Sequence, residues 1–348
     1  MPGLIDGAAE FGYGFPQLYF SPKKMRLLLL YLSLFFTGLF LTRCAERRAP
    51  AAVPTENGDT EKGIYLLVLG TAQDGGYPHA GCRRDCCRRV HEGQQAPATP
   101  VCLGIVDEVR EKLYMLEAGP AFPEQWRRLQ EQSGFTDKRI PDGIFLTHAH
   151  IGHYTGLMFL GREVMGSKQV PVYALPRMTA FLRENGPWSQ LVALQNIELH
   201  TLQADSALTL PGDLRITPFR VPHRDEFSET AGFRIETPRK RVLFIPDIDK
   251  WEKWARDITA EVAGADLALL DATFYRDGEL QGRAMSEVPH PFVEETMRLF
   301  DPQPAAEKKK VTFIHFNHTN PLLWEAAARE EVKKRGFGVA LEGMRVPL

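Results

Sequence analysis

The chain has 348 residues, long enough for two domains or one large α/β domain, so length alone does not choose between them. A formal charge of -2, with both signs interspersed, excludes the one-sided basic footprint of a nucleic-acid-binding protein. The basic run at Arg83, Arg84, Arg88 and Arg89 is local and reads as a solvated loop beside a cysteine cluster.

The first predicted element is the apolar stretch Leu27 to Leu41, LLLLYLSLFFTGLFL, preceded by Lys23, Lys24 and Arg26. Against the ~20 residues of a membrane-spanning helix it is short, and its length suits a signal-peptide core. Cys44 follows in LTRC, which resembles the bacterial lipoprotein signal whose cysteine is lipidated after cleavage. Arg43 stands where that signal has a small residue, so an uncleaved anchor is the alternative. Residues 45–62 carry Pro50, Pro54, Asn57 and Gly58 among charges and have no hydrophobic period, which reads as a flexible tether. Residues 1–44 are therefore expected to be an extension with an export signal, and 63–348 the working body. The protein is expected to be exported, held in the periplasm or at the membrane by a lipid or an anchor.

Within the body, short runs rich in branched residues read as strands: Ile64 to Gly70, Leu113 to Gly119, Gly143 to His150, Val170 to Leu175, Leu214 to His223, Phe233 to Thr237, Arg241 to Asp249, Asp266 to Phe274 and Val311 to His318. Helical periodicity is expected at 122–132, 155–165, 178–184, 250–262, 291–300 and 321–334, with Asp249 and Asn320 as N-caps. Pro238 to Lys240 reads as a hairpin turn. Strands that first meander and then alternate with helices imply mixed sheets covered by helices, in one domain with a single extended core.

Six of the ten histidines fall into three short motifs: His148, His150 and His153 in IFLTHAHIGHYTGL, His223 in RVPHRDEF, and His315 with His318 in VTFIHFNHTNPLL. Imidazoles bunched at the ends of strand-like runs point to a metal site, because the strands fix the ligands while the loops leave positions open. His148 and His150 are two apart on an extended backbone and project to one side. His153 reaches the same cavity from the start of the next helix.

These motifs, with the Gly-rich turn LGTAQDGGYP and the strand end LFIPD, resemble the metallo-β-lactamase-fold hydrolases, whose signature is H-x-H-x-D-H followed by later His, Asp and His ligands. The likeness runs over Ile64 to Pro347, in the branch of pyrroloquinoline quinone biosynthesis protein B and the phosphonate-pathway cyclic phosphodiesterase. It implies an α/β fold, a four-layer αβ/βα sandwich with zinc at two catalytic positions on the rim between the sheets. By the same resemblance His148, His150 and His223 hold the first metal, Asp247 bridges, and His153 and His315 hold the second. Gly152 replaces the aspartate of the signature, which is expected to weaken the second site or change its preference, with iron or manganese as alternative occupants. His290, in EVPHPFVEE, matches a histidine near the leaving group in the phosphodiesterase branch and is expected to donate a proton or stabilise an oxyanion. Asp271 is expected to orient a ligand histidine.

Cys82, Cys86 and Cys87 in GCRRDCC follow the same turn. In the cyclic phosphodiesterase the equivalent cluster and a histidine at the position of His318 complete a structural zinc, and three thiolates with one imidazole make a closed tetrahedral site. The adjacent pair leaves open that Cys86 or Cys87 is a bystander, and a disulfide is the competing reading in an exported protein. Cys102 reads as a small buried hydrophobe. His79, His91 and His200 read as ordinary surface or loop residues. The leading expectation is a metal-dependent hydrolase acting on a small-molecule substrate, with a phosphodiester favoured. The alternatives are an oxygen-using or cofactor-biosynthesis enzyme resembling pyrroloquinoline quinone biosynthesis protein B, and a non-catalytic metal-binding lipoprotein.

Overall fold

A computed structural model describes residues 62–348 except Gln281 and Arg283, and the signal core, Cys44 and the tether up to residue 61 lie outside the described residues. The chain opens with β1 (Ile64–Gly70), α1 (Asp85–His91), β2 (Cys102–Asp107), β3 (Lys112–Leu116), α2 (Phe122–Ser133), β4 (Gly143–Phe145) and α3 (Ile151–Tyr154). Next come β5 (Val170–Ala174), α4 (Pro176–Glu184), α5 (Trp188–Ala193), β6 (Ile197–Thr201), β7 (Leu208–Leu210), β8 (Leu214–Val221), β9 (Thr230–Glu236) and β10 (Arg241–Ile245). It closes with α6 (Ile258–Ala263), β11 (Leu267–Asp271), α7 (Val293–Phe300), α8 (Ala305–Lys308), β12 (Val311–Ile314), α9 (Ala326–Lys334), β13 (Gly338–Val339) and β14 (Arg345–Pro347).

The strands form two sheets, in the orders β14-β1-β2-β3-β4-β5-β6 and β13-β12-β11-β10-β9-β8-β7. In each, an antiparallel meander passes into parallel strands: β3 to β6 in the first, β10 to β13 in the second. The predicted turn at Pro238 to Lys240 closes the β9–β10 hairpin, with Thr237 N donating to Lys240 O at 2.9 Å.

Alternation along the strands explains the layering. Leu66 and Val68 of β1 face inward and pack with Phe145, Phe233, Phe244 and Ile314 between the sheets. Leu67 and Leu69 face outward onto Phe122, Trp126 and Leu129 of α2. On the far side Leu243, Leu270 and Phe313 pack against Trp251, Val262, Met297 and Phe300. The result is helix, sheet, sheet, helix, with three apolar layers in place of the single core expected.

The predicted helix at 250–262 does not form. A 3-10 turn at Trp251–Lys253 and the short α6 take its place. The buried residues Trp251, Trp254, Ile258 and Val262 have helical spacing, but both indoles are claimed by tertiary partners, Trp251 Nε1 donating to Thr296 Oγ1 and Trp254 Nε1 to Arg220 O. Asp257 then caps α6 by accepting from Thr259 N, a role the sequence reading had given to Asp249. The helix expected at 155–165 is likewise only α3 and a 3-10 turn at Thr155–Leu160. Asn320 does act as an N-cap, though of the 3-10 turn Pro321–Leu323.

Candidate metal centre

Strand ends assemble the site, as expected where open sheets leave crevices beyond their carboxyl edges. His148 and His150 follow β4, His223 follows β8, Asp247 follows β10, Asp271 ends β11 and His315 follows β12. His153 lies in α3, whose start is pressed against the chain after β3. A Cβ on Gly119 would stand 2.1 Å from Gly152 O, so only glycine permits that approach.

The predicted residues meet. His148 Nε2 lies 2.8 Å from His150 Nδ1 and 3.4 Å from Asp247 Oδ2, and His223 Nε2 lies 3.2 Å from the same oxygen. His153 Nε2 approaches Asp247 Oδ2 to 3.8 Å, and the His153 and His315 rings are 5.3 Å apart. Around a tetrahedral zinc with bonds of ~2.0–2.1 Å, neighbouring ligand atoms stand roughly 3.3 Å apart, so the first four atoms already have the spacing of a coordination shell. Both ring nitrogens of His153, Nε2 of His223 and His315, and Oδ1 of Asp247 are buried without a hydrogen-bond partner. Such orphaned donors and acceptors are costly unless something else engages them, and a divalent cation fits this donor set.

Carboxylates and hydroxyls that the sequence reading mostly missed hold the rings from behind. Asp249 Oδ1 is 3.2 Å from His223 Nδ1, and Thr147 Oγ1 is 2.8 Å from His148 Nδ1. Glu117, fully buried at a φ of 78°, brings Oε1 to 3.3 Å from His153 Nδ1. Asp271 was expected to orient a ligand histidine; it accepts from Ile248 N, Thr273 N, Thr273 Oγ1 and His290 Nδ1, the last at 2.9 Å, and so holds His290 directly and His315 only through Thr273. Thr273 Oγ1 in turn stands 2.9 Å from His315 Nδ1. Glu117 left a trace in the sequence, a carboxylate ending an apolar strand. Asp249 looked like a helix cap.

Protonation follows from this packing. Burial, reinforced by His153, holds His148 well below the ordinary histidine range, so it is neutral and ready to act as a ligand. Burial also disfavours charge on His223 and His290, yet Asp247 outweighs it at His223, raised to about 9, and Asp271 with Asp247 outweighs it at His290, raised to about 10. Without metal, protons on these imidazoles offset the carboxylates, so metal and protons compete for the cluster.

At the second cluster, Cys82, Cys86, Cys87 and His318 place four ligand atoms within 4.8 Å of one another, so both Cys86 and Cys87 are in reach of a single ion. No disulfide forms among the described cysteines. His318 Nδ1 is engaged by Asn317 Oδ1 at 3.0 Å, which leaves Nε2 for the cluster. Burial, with help from His79 and Arg84, pulls His318 down to about 4. Burial pushes the Cys87 thiol up to about 12, so it loses a proton on meeting a soft cation. His79 is more than a surface residue: its ring lies 4.4 Å from that of His318 and its backbone N donates to Cys87 Sγ. Cys102 is fully buried, as expected of a small hydrophobe.

With this geometry in place, the relatives are informative. The model of a beta-lactamase superfamily domain matches residues 114–316, more than half of the sequence. The chain belongs to the beta-lactamase superfamily. Coenzyme PQQ synthesis protein B from Xanthomonas campestris pv. campestris is 27% identical over 313 residues, covering 82% of this chain and 100% of the relative. The crystal structure of Zn(2+)-bound PqqB from Methylobacterium extorquens superposes with a TM-score of 0.66 at 23% identity, covering 82% of this chain and 100% of that one. A diphosphatase of the PhnP family superposes with a TM-score of 0.57 at 19% identity, over 82% and 97%. These structural likenesses establish the four-layer metallo-β-lactamase fold. No described helix is long and apolar enough to cross a membrane.

Proposed function

We propose that the chain is a metal-dependent hydrolase, with a phosphodiester or related ester as its substrate. The observation that carries this reading is the convergence of His148, His150, His223 and Asp247, joined by His153 and His315, with buried ligand atoms that no protein group satisfies. His148, His150 and His223 would hold one divalent ion, His153 and His315 a second, and Asp247 would serve both. Such ions supply Lewis acidity that lets water act as a nucleophile near neutral pH.

The remaining residues position and move protons. Asp271 fixes His290 through Nδ1 and favours its charged form, so the Nε2 proton is the one His290 can give to a leaving oxygen. Asp249 and Thr273 set the ring orientations of His223 and His315, and Glu117 places a carboxylate 3.3 Å from His153 Nδ1. The four-ligand cysteine cluster suits a structural zinc, since it leaves no open position. The amino-terminal signal and tether would carry this domain outside the cytoplasm.

A second reading, an oxygen-using step in cofactor biosynthesis, draws on the curated relatives named for PQQ synthesis, which align along their whole length. Iron enrichment with oxygen consumption would favour it. To test the first reading, the full chain is purified without chelator and assayed on bis(p-nitrophenyl) phosphate, esters and lactones beside His148→Ala. Cleavage that is lost in the variant supports hydrolysis. A metal-loaded protein that cleaves none of the three overturns it.

A further inference from the structure

The second ion position has an oxygen donor from an unexpected part of the chain. Gly152 stands beside His153, where the sequence pattern led us to look for a carboxylate. A Cβ built on Gly152 would fall 2.3 Å from Asp74 Cα, 2.3 Å from Asp74 Oδ1 and 2.8 Å from Asp74 Cβ. The space above residue 152 is therefore filled by the turn after β1, and any side chain there would drive that turn away.

The turn is anchored. Gln73 N donates to Phe316 O at 2.8 Å, Gly76 N closes back on Gln73 O at 2.7 Å, and Ala72 bridges both Pro100 and Phe316. Phe316 directly follows His315, so the same contacts that fix the turn tie Asp74 to a ligand histidine. Asp74 Oδ1 lies 3.1 Å from His153 Nε2, but off the axis a hydrogen bond needs, and both atoms are buried without a hydrogen-bond partner. Asp74, His153 and His315 each offer a ligand atom, and the three lie within 4.8 Å of one another. An imidazole nitrogen and a carboxylate oxygen at this ion-pair distance, with a second imidazole in reach, have the spacing of co-ligands.

We infer that Asp74 is a ligand of the second ion, supplying from the turn after β1 the carboxylate oxygen that Gly152 cannot, and that Gly152 is glycine because Asp74 needs its space. The inference rests on the dinuclear reading above. It gives the second position Asp74, His153 and His315 beside the shared Asp247, so a missing carboxylate in the histidine motif is not a missing ligand.

The test is zinc content and zinc affinity of the full chain, with zinc chloride as the probe, in wild type, Asp74→Asn, Asp74→Ala and Gly152→Ala. Wild type is expected to retain about three zinc per chain and each variant about two, the cysteine-held ion persisting as an internal control. Asp74→Asn separates ligation from folding. Its metal-free form should still unfold in one cooperative transition, while the rise in midpoint on adding zinc should be smaller than in wild type. Wild type at about three zinc with all Asp74 variants also at about three overturns the role of Asp74 and leaves the hydrolase reading standing. Wild type with only a Cys82-dependent zinc overturns both.

Discussion

Glu117 offers the sharpest test of how the site is held. Its carboxylate is fully buried, Oε1 stands 3.3 Å from His153 Nδ1 with no hydrogen-bond partner, and Oε2 has only a long contact of 3.5 Å from Thr147 N. Its backbone sits at a φ of 78°, a left-handed conformation that costs a non-glycine residue about 1–2 kcal/mol. The visible return on that strain is a carboxylate at ion-pair distance behind His153, which strengthens Nε2 as a donor. Glu117→Gln preserves shape and backbone strain and removes the charge. Losing such a supporting partner typically weakens metal binding about 10–100-fold, or about 1.4–2.7 kcal/mol. The loss should fall on the ion bound by His153, leaving the other histidine-bound ion and the cysteine-held ion in place. Titration with zinc against a chromophoric chelator resolves this. An unchanged affinity for every ion in a folded Glu117→Gln protein would refute the reasoning.

The other predictions concern the cysteine cluster and the scaffold. Cys82→Ser should remove one zinc and reduce, without abolishing, the fall in unfolding midpoint on chelation, measured by calorimetry with and without chelator, while His148→Ala leaves that ion in place. Asp142 binds Lys112 Nζ at 2.9 Å, Lys138 Nζ at 2.6 Å and Leu113 N at 2.8 Å. Burial pushes its carboxyl up, but Lys112, Lys138 and the backbone donor prevail and hold it below the ordinary value. A depressed pKa stabilises the fold above the unfolded value of ~3.9, and that stability is lost as pH falls through the folded value. Asp142→Asn should therefore cost about 1 kcal/mol at neutral pH, allowing for partial exposure, and the gap to wild type should close in acid. Urea titrations at neutral and acid pH check it, and a gap that widens in acid contradicts the assignment.

Much of the fold was legible because β1, β5, β8, β10, β11 and β12 are short branched runs ending at turn residues, and largely buried strands leave that trace. The ligand histidines were legible because they crowd at those ends. The strand after Gly143 was read too long: β4 stops at Phe145, and His150 keeps only an extended backbone, with a φ of -96° and ψ of 147°. The side-by-side projection of His148 and His150 survived that error. The segment at 250–262 misled because four apolar residues at helical spacing also suit a chain held out of a helix by two indole hydrogen bonds. Asp74 was hidden for another reason. It lies far from the histidine motif in sequence, and only the meeting of β1 with the chain after β12 brings it there.

The central claim, that the histidine cluster is a metal centre, is tested most directly by anomalous scattering at the zinc edge from crystals of the zinc-loaded protein. The account predicts strong peaks between His148, His150, His223 and Asp247 and between Asp247, His153 and His315, with a separate peak among Cys82, Cys86, Cys87 and His318. A peak at the cysteine cluster alone, with the histidines empty, would contradict it.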